Sequence, residues 1–200
     1  MEKIWQEHKD NYKNNVLKFY RYIDELEDLE YLTHLIGFHS APTVSRIKVG
    51  SLVNIKNSKR NLINTWNENK INIAKFFKIK FVELKKDDNS YLIYFYDEDR
   101  LLKRIRSEEI SLYLSLVGYE KKGSIDSYIK KLKENFEILV PPEVGIFLDY
   151  PLLDVIDFMK DSKKCKYCGY WKCYNDVKGA KDRCSIYDIT KMEYIAKLIN

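Results

Sequence analysis

The segment CKYCGYWKCYNDVKGAKDRC holds all four cysteines of the chain: Cys165, Cys168, Cys173 and Cys184. Thiols spaced C-x2-C-x4-C-x10-C offer three kinds of chemistry: a tetrahedral zinc, because C-x2-C is a common half-site; a redox or reactive pair of Cys165 and Cys168; or packing and surface thiols that do neither. The second half of the zinc pattern is wrong. Structural zinc sites usually repeat a short knuckle, whereas Cys168 and Cys173 lie an odd number of residues apart, which on one strand sends their side chains to opposite faces. The bulky GYWK between them also suits a tight turn badly. The expectation is no metal site, with ordinary thiols as the default and zinc or a redox pair as the alternatives.

A second group of reactive types stands in FHSAPT, where His39 could serve as a ligand or general base beside Ser40 and Thr43. No Asp or Glu stands at a spacing that identifies a triad partner, so a capping or hydrogen-bonding role at a helix end is the default for His39. A third candidate, EVGIFLDYPLLDVIDFM, alternates short helix, turn and helix as DNA-reading modules do. Its second helix would present Asp154 and Asp157 at its start, and phosphate repels them. Nucleic-acid binding therefore ranks below binding of a small ligand, and an enzyme of unknown reaction is a further alternative.

These residues sit in a chain of 200 residues, enough to bury the core of one ordinary domain without staples. No apolar run reaches membrane-spanning length, and the charged start MEKIWQEHKDNYKNN lacks the apolar centre of a secretory signal, so the expected location is the cytoplasm, with no membrane partner. Thiols stay reduced there. The net charge is +5 and uneven: the first forty residues are rich in acids, while Ala41 to Lys80 carries Arg46, Lys48, Lys56, Lys59, Arg60, Lys70, Lys75, Lys78 and Lys80 against Glu68. A second basic run, KDSKKCKYCGYWKCYNDVKGAKDR, surrounds the cysteines. Such runs are most often solvated faces, the sharper reading being a footprint for nucleic acid or an anionic ligand.

The elements that must position these groups are legible as periodicities. Val16, Tyr20, Ile23, Leu32, Leu35 and Ile36 predict an amphipathic helix or helix pair that stops at about Gly37. Leu62, Trp66, Ile73 and Phe77 predict another helix, capped by Asn57 or Ser58. KIKFVEL and YLIYFY read as a hairpin of two strands joined by a polar turn. Asp97 and Ser124 are positioned to cap further helices, and Pro151 to open a short one. YCGYWKCY reads as a strand able to join the hairpin, with Trp171 inward and Lys172 outward. The fold class is α+β: a mostly helical single domain over 1–200, helical to about residue 77, hairpin at about 78–96, and helices with a strand from about 97 onward.

Three stretches together resemble a family of unknown function found mainly in clostridia and related anaerobes, catalogued as domain of unknown function 3793. His39, Ala41, Pro42 and Thr43 match its first motif, with Ser40 where the family usually has Cys. Glu143, Gly145, Phe147, Leu148, Tyr150, Pro151 and Asp154 match the second, with Pro142 at a His position and Asp149 at a Gly position. Gly169, Tyr170, Trp171, Lys172 and Tyr174 match the third, where Cys173 replaces an apolar residue. The resemblance implies no established activity. It suggests an association with iron or haem handling and with flavodoxins as redox partners. It also suggests that His39 and Glu143, with Ser40, Thr43, Tyr150 and Trp171, converge on a ligand pocket, where the His39 imidazole could bind a metal or haem iron and Tyr150 or Trp171 supply an apolar wall.

Overall fold

The structure, a computed structural model, describes residues 2–161 and 164–199. Ser162 and Lys163 of the second basic run lie outside them. Helices α1 (Glu2–Asp24) and α2 (Asp28–Val44) lead into strand β1 (Gly50–Lys56), helix α3 (Leu62–Phe77) and the hairpin of β2 (Lys80–Lys86) and β3 (Ser90–Tyr96). Helices α4 (Glu98–Ile105), α5 (Glu108–Leu116), α6 (Ile125–Ile138), α7 (Val144–Phe147) and α8 (Leu152–Lys160) follow. A small hairpin of β4 (Tyr167–Cys168) and β5 (Lys172–Cys173) then precedes the long helix α9 (Val177–Ile199). The α+β class with a small antiparallel sheet is as expected from the sequence. No helix among the described residues is long and apolar enough to cross a membrane.

Strand β3 is central in the antiparallel order β1-β3-β2, so its alternating side chains organise both halves of the core. Ile93 and Phe95 face one way, into a cluster with Leu32 and Ile36 of α2 and Trp66 and Phe77 of α3. Tyr94 and Tyr96 face the other, among Leu101, Tyr119, Leu132, Phe136 and Phe147 from α4 to α7. Farther out, Phe19 and Ile23 of α1 meet Phe38 of α2 and Ile195 of α9. Helix α9 also receives the β4–β5 hairpin through a cluster of Trp171, Cys173, Ala180, Cys184 and Tyr187.

Local signals held where the partner is local. Asp97 accepts from Arg100 N and Ser124 from Ser127 N, as N-caps should. The cap of α3 is Asn61, while Asn57 takes the Ile63 N–H from just outside the helix. Three expectations need correction. Helix α2 runs through Gly37 to Val44, with Pro42 in its last turn, so His39 is not at the helix end. Gly37 is there for close approach: a Cβ would fall 2.1 Å from Tyr194 Oη and 2.7 Å from Phe77 Cζ. The sheet's third strand is GSLVNIK, whose ladder partner β3 lies some forty residues on, and YCGYWKCY instead folds back on itself. Gly169 N donates to Trp171 O at the turn, so Cys168 pairs with Lys172 across two strands. The thiols of Cys168 and Cys173 thus diverge because Cys168 shares a face with Lys172 across the ladder and Cys173, next along β5, takes the other face, not because one continuous strand carries both.

Candidate functional site

The segment after α6 is pinned before it reaches the site. Leu139 ends α6 in an extended conformation, and the chain passes through Val140, Pro141 and Pro142 to Glu143. The buried Glu143 carboxylate accepts from Tyr119 Oη at 3.1 Å and Asn135 Nδ2 at 2.7 Å, which ties this segment to α6. Gly145 lets α7 approach its successor, since a Cβ there would lie 2.7 Å from Val155 Cγ2 and 3.2 Å from Tyr150 Cδ2. The turn that follows places Asp149 at φ +66°, a left-handed conformation that explains the Gly of the family pattern. Arg104 holds it, with Nη1 2.9 Å from Asp149 Oδ1 and Nε donating to Ile146 O at 2.8 Å.

Asp154, one turn into α8, latches the β4–β5 hairpin. It accepts from Trp171 Nε1 at 2.8 Å, Tyr174 N at 3.0 Å, Asn175 N at 3.1 Å and Asn175 Nδ2 at 2.9 Å. Burial pushes its pKa up, but those hydrogen bonds together outweigh it and hold the carboxyl below its ordinary value. The same Asn175 amide reaches Asp157 at 2.9 Å. Both acids are buried, so α8 turns inward the residues that a reading helix would turn to DNA, and α7 is a single turn. Trp171 is buried and Lys172 exposed, as the sequence predicts, although Trp171 lies in the turn before β5 rather than on a strand of the main sheet, and Trp171 stacks on Tyr150 with centroids 5.2 Å apart.

Between these pieces opens a cleft of about 310 Å³. Val140, Pro141, Pro142, Val144 and Val155 form its aliphatic side, Tyr150, Phe158 and Trp171 its aromatic side, and the hydrogen-bonded Asp154 also lines it. The amine of Lys172 stands at its edge, 5.5 Å from the Phe158 ring centroid. Around the mouth Ile138, Leu139, Val140, Phe158 and Met159 are exposed. Such a surface can bind an apolar or aromatic body and offers one cation to orient it.

Behind Tyr150 lies a second, closed centre. The Lys48 amine is buried among three tyrosine rings, 5.4 Å from the centroids of Tyr150 and Tyr187 and 5.9 Å from that of Tyr170. Lys191 reaches Tyr170 from α9 at 4.7 Å and Phe38 at 5.3 Å. Burial, and then the Lys191 charge, lower Lys48 to about 8. Burial and Lys191 likewise lower His39 to about 4, so its ring is neutral at pH 7. His39 Nε2 lies 3.1 Å from Tyr20 Oη.

The predicted site residues thus divide. Tyr150 and Trp171 share the wall of the cleft. His39 has Tyr20 and Lys191 about it, Glu143 has Tyr119 and Asn135, and the two sets have no residue in common. Thr43 Oγ1 bonds Ser51 Oγ at 2.8 Å, joining α2 to β1, and Ser40 Oγ is buried without a partner among the described residues. Cys165 and Cys168 Sγ atoms are 3.7 Å apart, while Cys173 and Cys184 are buried in the apolar cluster under the hairpin. Among the described residues no three His, Cys, Asp or Glu side chains gather as metal ligands would. Much of the first basic run is consumed internally: Arg46 pairs with Asp97, Arg60 with Asp28, Lys70 with Glu83 and Lys80 with Glu98, and Lys48 is buried. Sequence reasoning missed Lys48, Lys191, Phe158 and Lys172 as site groups.

Fold and cleft together define an α+β protein in which helices cover both faces of a three-stranded sheet and a latched hairpin walls an apolar recess. The chain belongs to the family described as protein of unknown function (DUF3793), whose model matches residues 36–200. The match takes in the C-terminal half of α2, the cleft and the hairpin. No curated protein and no solved structure matches the chain.

Proposed function

We propose that the protein binds a small, largely apolar or aromatic molecule carrying an acidic group, in the cleft between Val140–Val144, α8 and the β4–β5 hairpin. The observation that carries this reading is the composition of the cleft: three aromatic rings and five aliphatic side chains about some 310 Å³, with the Lys172 amine at the edge and one carboxylate in the wall, Asp154, whose charge is taken up by its own hydrogen-bond donors. An aromatic body gains from burial against the rings, and an anionic group gains from the amine without entering the apolar floor. Tyr150 and Trp171 are contact residues in this reading. Glu143 anchors the Val140–Val144 segment through Tyr119 and Asn135, whereas His39, Ser40 and Thr43 lie on α2 and do not line the cleft. Haem or metal ligation through His39 Nε2 would require that nitrogen to leave Tyr20, and the ion pairs of the first basic run weigh against a nucleic-acid footprint.

The test uses anilinonaphthalene sulfonate, an aromatic anion, against its neutral analogue N-phenylnaphthylamine. The native protein is expected to bind both with dissociation constants in the micromolar range, quenching Trp171. Lys172→Glu should weaken the sulfonate roughly tenfold, about 1.4 kcal/mol, and leave the neutral probe unchanged. Phe158→Ala should weaken both. Unchanged affinity of both probes for both variants places the binding elsewhere and overturns the reading.

A further inference from the structure

We propose that Cys165 and Cys168 form a redox-active dithiol that closes to an intramolecular disulfide by exchange with a small-molecule disulfide, and that closure alters the hold of the hairpin on the cleft. Their sulfurs are already 3.7 Å apart, so a shift of under 2 Å reaches the disulfide length of about 2.05 Å. Cys165 is half-buried and Cys168 exposed, so a small disulfide can reach the pair. The other thiols do not compete, because Cys173 and Cys184 are buried beneath the hairpin rings. The pair also has a fixed frame: Lys166 N donates to Cys173 O at 2.9 Å, and Cys165 Sγ donates to Tyr167 O at 3.1 Å.

The exchange balances in two displacements. The Cys168 thiolate, its proton given to solvent, attacks one sulfur of the disulfide RSSR; the S–S bond breaks and RS⁻ leaves, taking up a proton. The Cys165 thiolate then attacks Cys168 Sγ in the mixed disulfide and expels the second RS⁻. The protein gives up two electrons and two protons, and RSSR becomes two RSH. The hydrogen bond with Cys165 raises the pKa of Cys168 above its ordinary value, so the first displacement is slow at neutral pH and the pair suits a responder better than a rapid catalyst.

The link to the cleft rests on the ligand-binding reading above. Cys168 is the ladder partner of Lys172, and Trp171 precedes it at the turn, so a bond from Cys168 to Cys165 restrains the strand opposite both cleft residues.

The experiment equilibrates the intact chain with reduced and oxidised glutathione under EDTA, blocks free thiols with iodoacetamide and reads the mass. Expected is the loss of two alkylatable thiols in a single step, mapped to Cys165 and Cys168 and reversed by dithiothreitol. Cys165→Ser should accumulate the glutathione adduct on Cys168. Stable separate glutathione adducts on both cysteines, disulfide-linked dimers, or two thiols that stay alkylatable at every ratio would overturn the dithiol. Anilinonaphthalene sulfonate is then titrated into each form, with a change of severalfold expected in its dissociation constant. Equal affinities overturn the link to the cleft, whereas no probe binding in either form is a failure of the cleft reading, and the mass still reports the dithiol.

Discussion

Asp154 and Lys48 are buried charges on the two sides of one stacked ring pair, and the fold treats them differently. Asp154 sits on the Trp171 side and accepts four hydrogen bonds from N–H donors. Lys48 sits on the Tyr150 side with ring faces around it, and among the described residues it has no hydrogen-bonded carboxylate. A carboxylate satisfied in this way becomes a structural bolt, strong because removing it strands its donors. An ammonium among ring faces, with Asp149 as a countercharge that makes no hydrogen bond to it, is a charge that desolvation opposes and these attractions only partly offset. The first should stabilise the native state and the second should tax it. That contrast can be broken by substitution.

The largest effect should come from Asp154→Ala. It leaves the Trp171 indole N–H and the Tyr174 backbone N–H buried without an acceptor, at about 1–3 kcal/mol for each stranded group. The expected loss is about 4 kcal/mol in urea unfolding, with Trp171 opened to iodide quenching in the native state. The carboxyl titrates below its ordinary value in the fold, so its contribution is present above the unfolded pKa of about 3.9 and is lost as pH falls through the folded one. A loss below about 1 kcal/mol would mean that the hairpin is held by ring packing and that Asp154 is no bolt.

Lys48→Met should move stability the other way and by less. The folded pKa of about 8 lies below the unfolded value of about 10.5, so the unfolded chain binds the extra proton between the two. Stability linked to Lys48 is therefore fully present above pH 10.5 and is lost as pH falls to 8, leaving a penalty at neutral pH. The ring faces offset part of it, and replacement by an unbranched apolar side chain should gain about 2 kcal/mol at pH 7. The gain should shrink between pH 8 and 9.5, read as the difference in urea midpoint between the two proteins. A destabilised variant with no such pH trend would show that the cage favours the cation outright.

How far these centres were legible follows from the distance to their partners. Asp97 and Ser124 cap helices through donors three residues on, and β2 and β3 adjoin, so pattern and turn chemistry sufficed. Helix α2 outran Gly37 because the reason for that glycine is Tyr194, far along the chain. Strand β1 hid among turn residues because its partner lies beyond α3. In the site, Trp171 is inward and Lys172 outward as the sequence suggests, but Trp171 lies in the turn and is held there by Asp154 and Tyr150 rather than by strand alternation. The burial of Lys48 had no signal in a lysine-rich chain, since nothing local distinguishes it from solvated neighbours. His39 and Glu143 each bond a tyrosine on another element, and no spacing announces that.

The smallest effect at neutral pH should come from His39→Gln, and it extends the comparison to a group that stays uncharged. His39 shares the Lys191 field that disfavours Lys48, but with a folded pKa of about 4 it has no proton to hold at pH 7, so it escapes the penalty there. Glutamine can keep a hydrogen bond to Tyr20, and the stability change at pH 7 should stay within about 1 kcal/mol. The difference appears in acid. The unfolded imidazole binds its proton near pH 6.5 and the folded one only near 4, so the stability linked to His39 is complete above pH 6.5 and is lost as pH falls to 4, at about 1.4 kcal/mol per pH unit at the steepest. Urea midpoints of the wild type should therefore fall more steeply than those of His39→Gln over that window, and the two curves should run parallel above pH 7. Parallel curves throughout would mean that the ring is protonated or exposed in the native state, and that the closed centre behind Tyr150 does not reach α2.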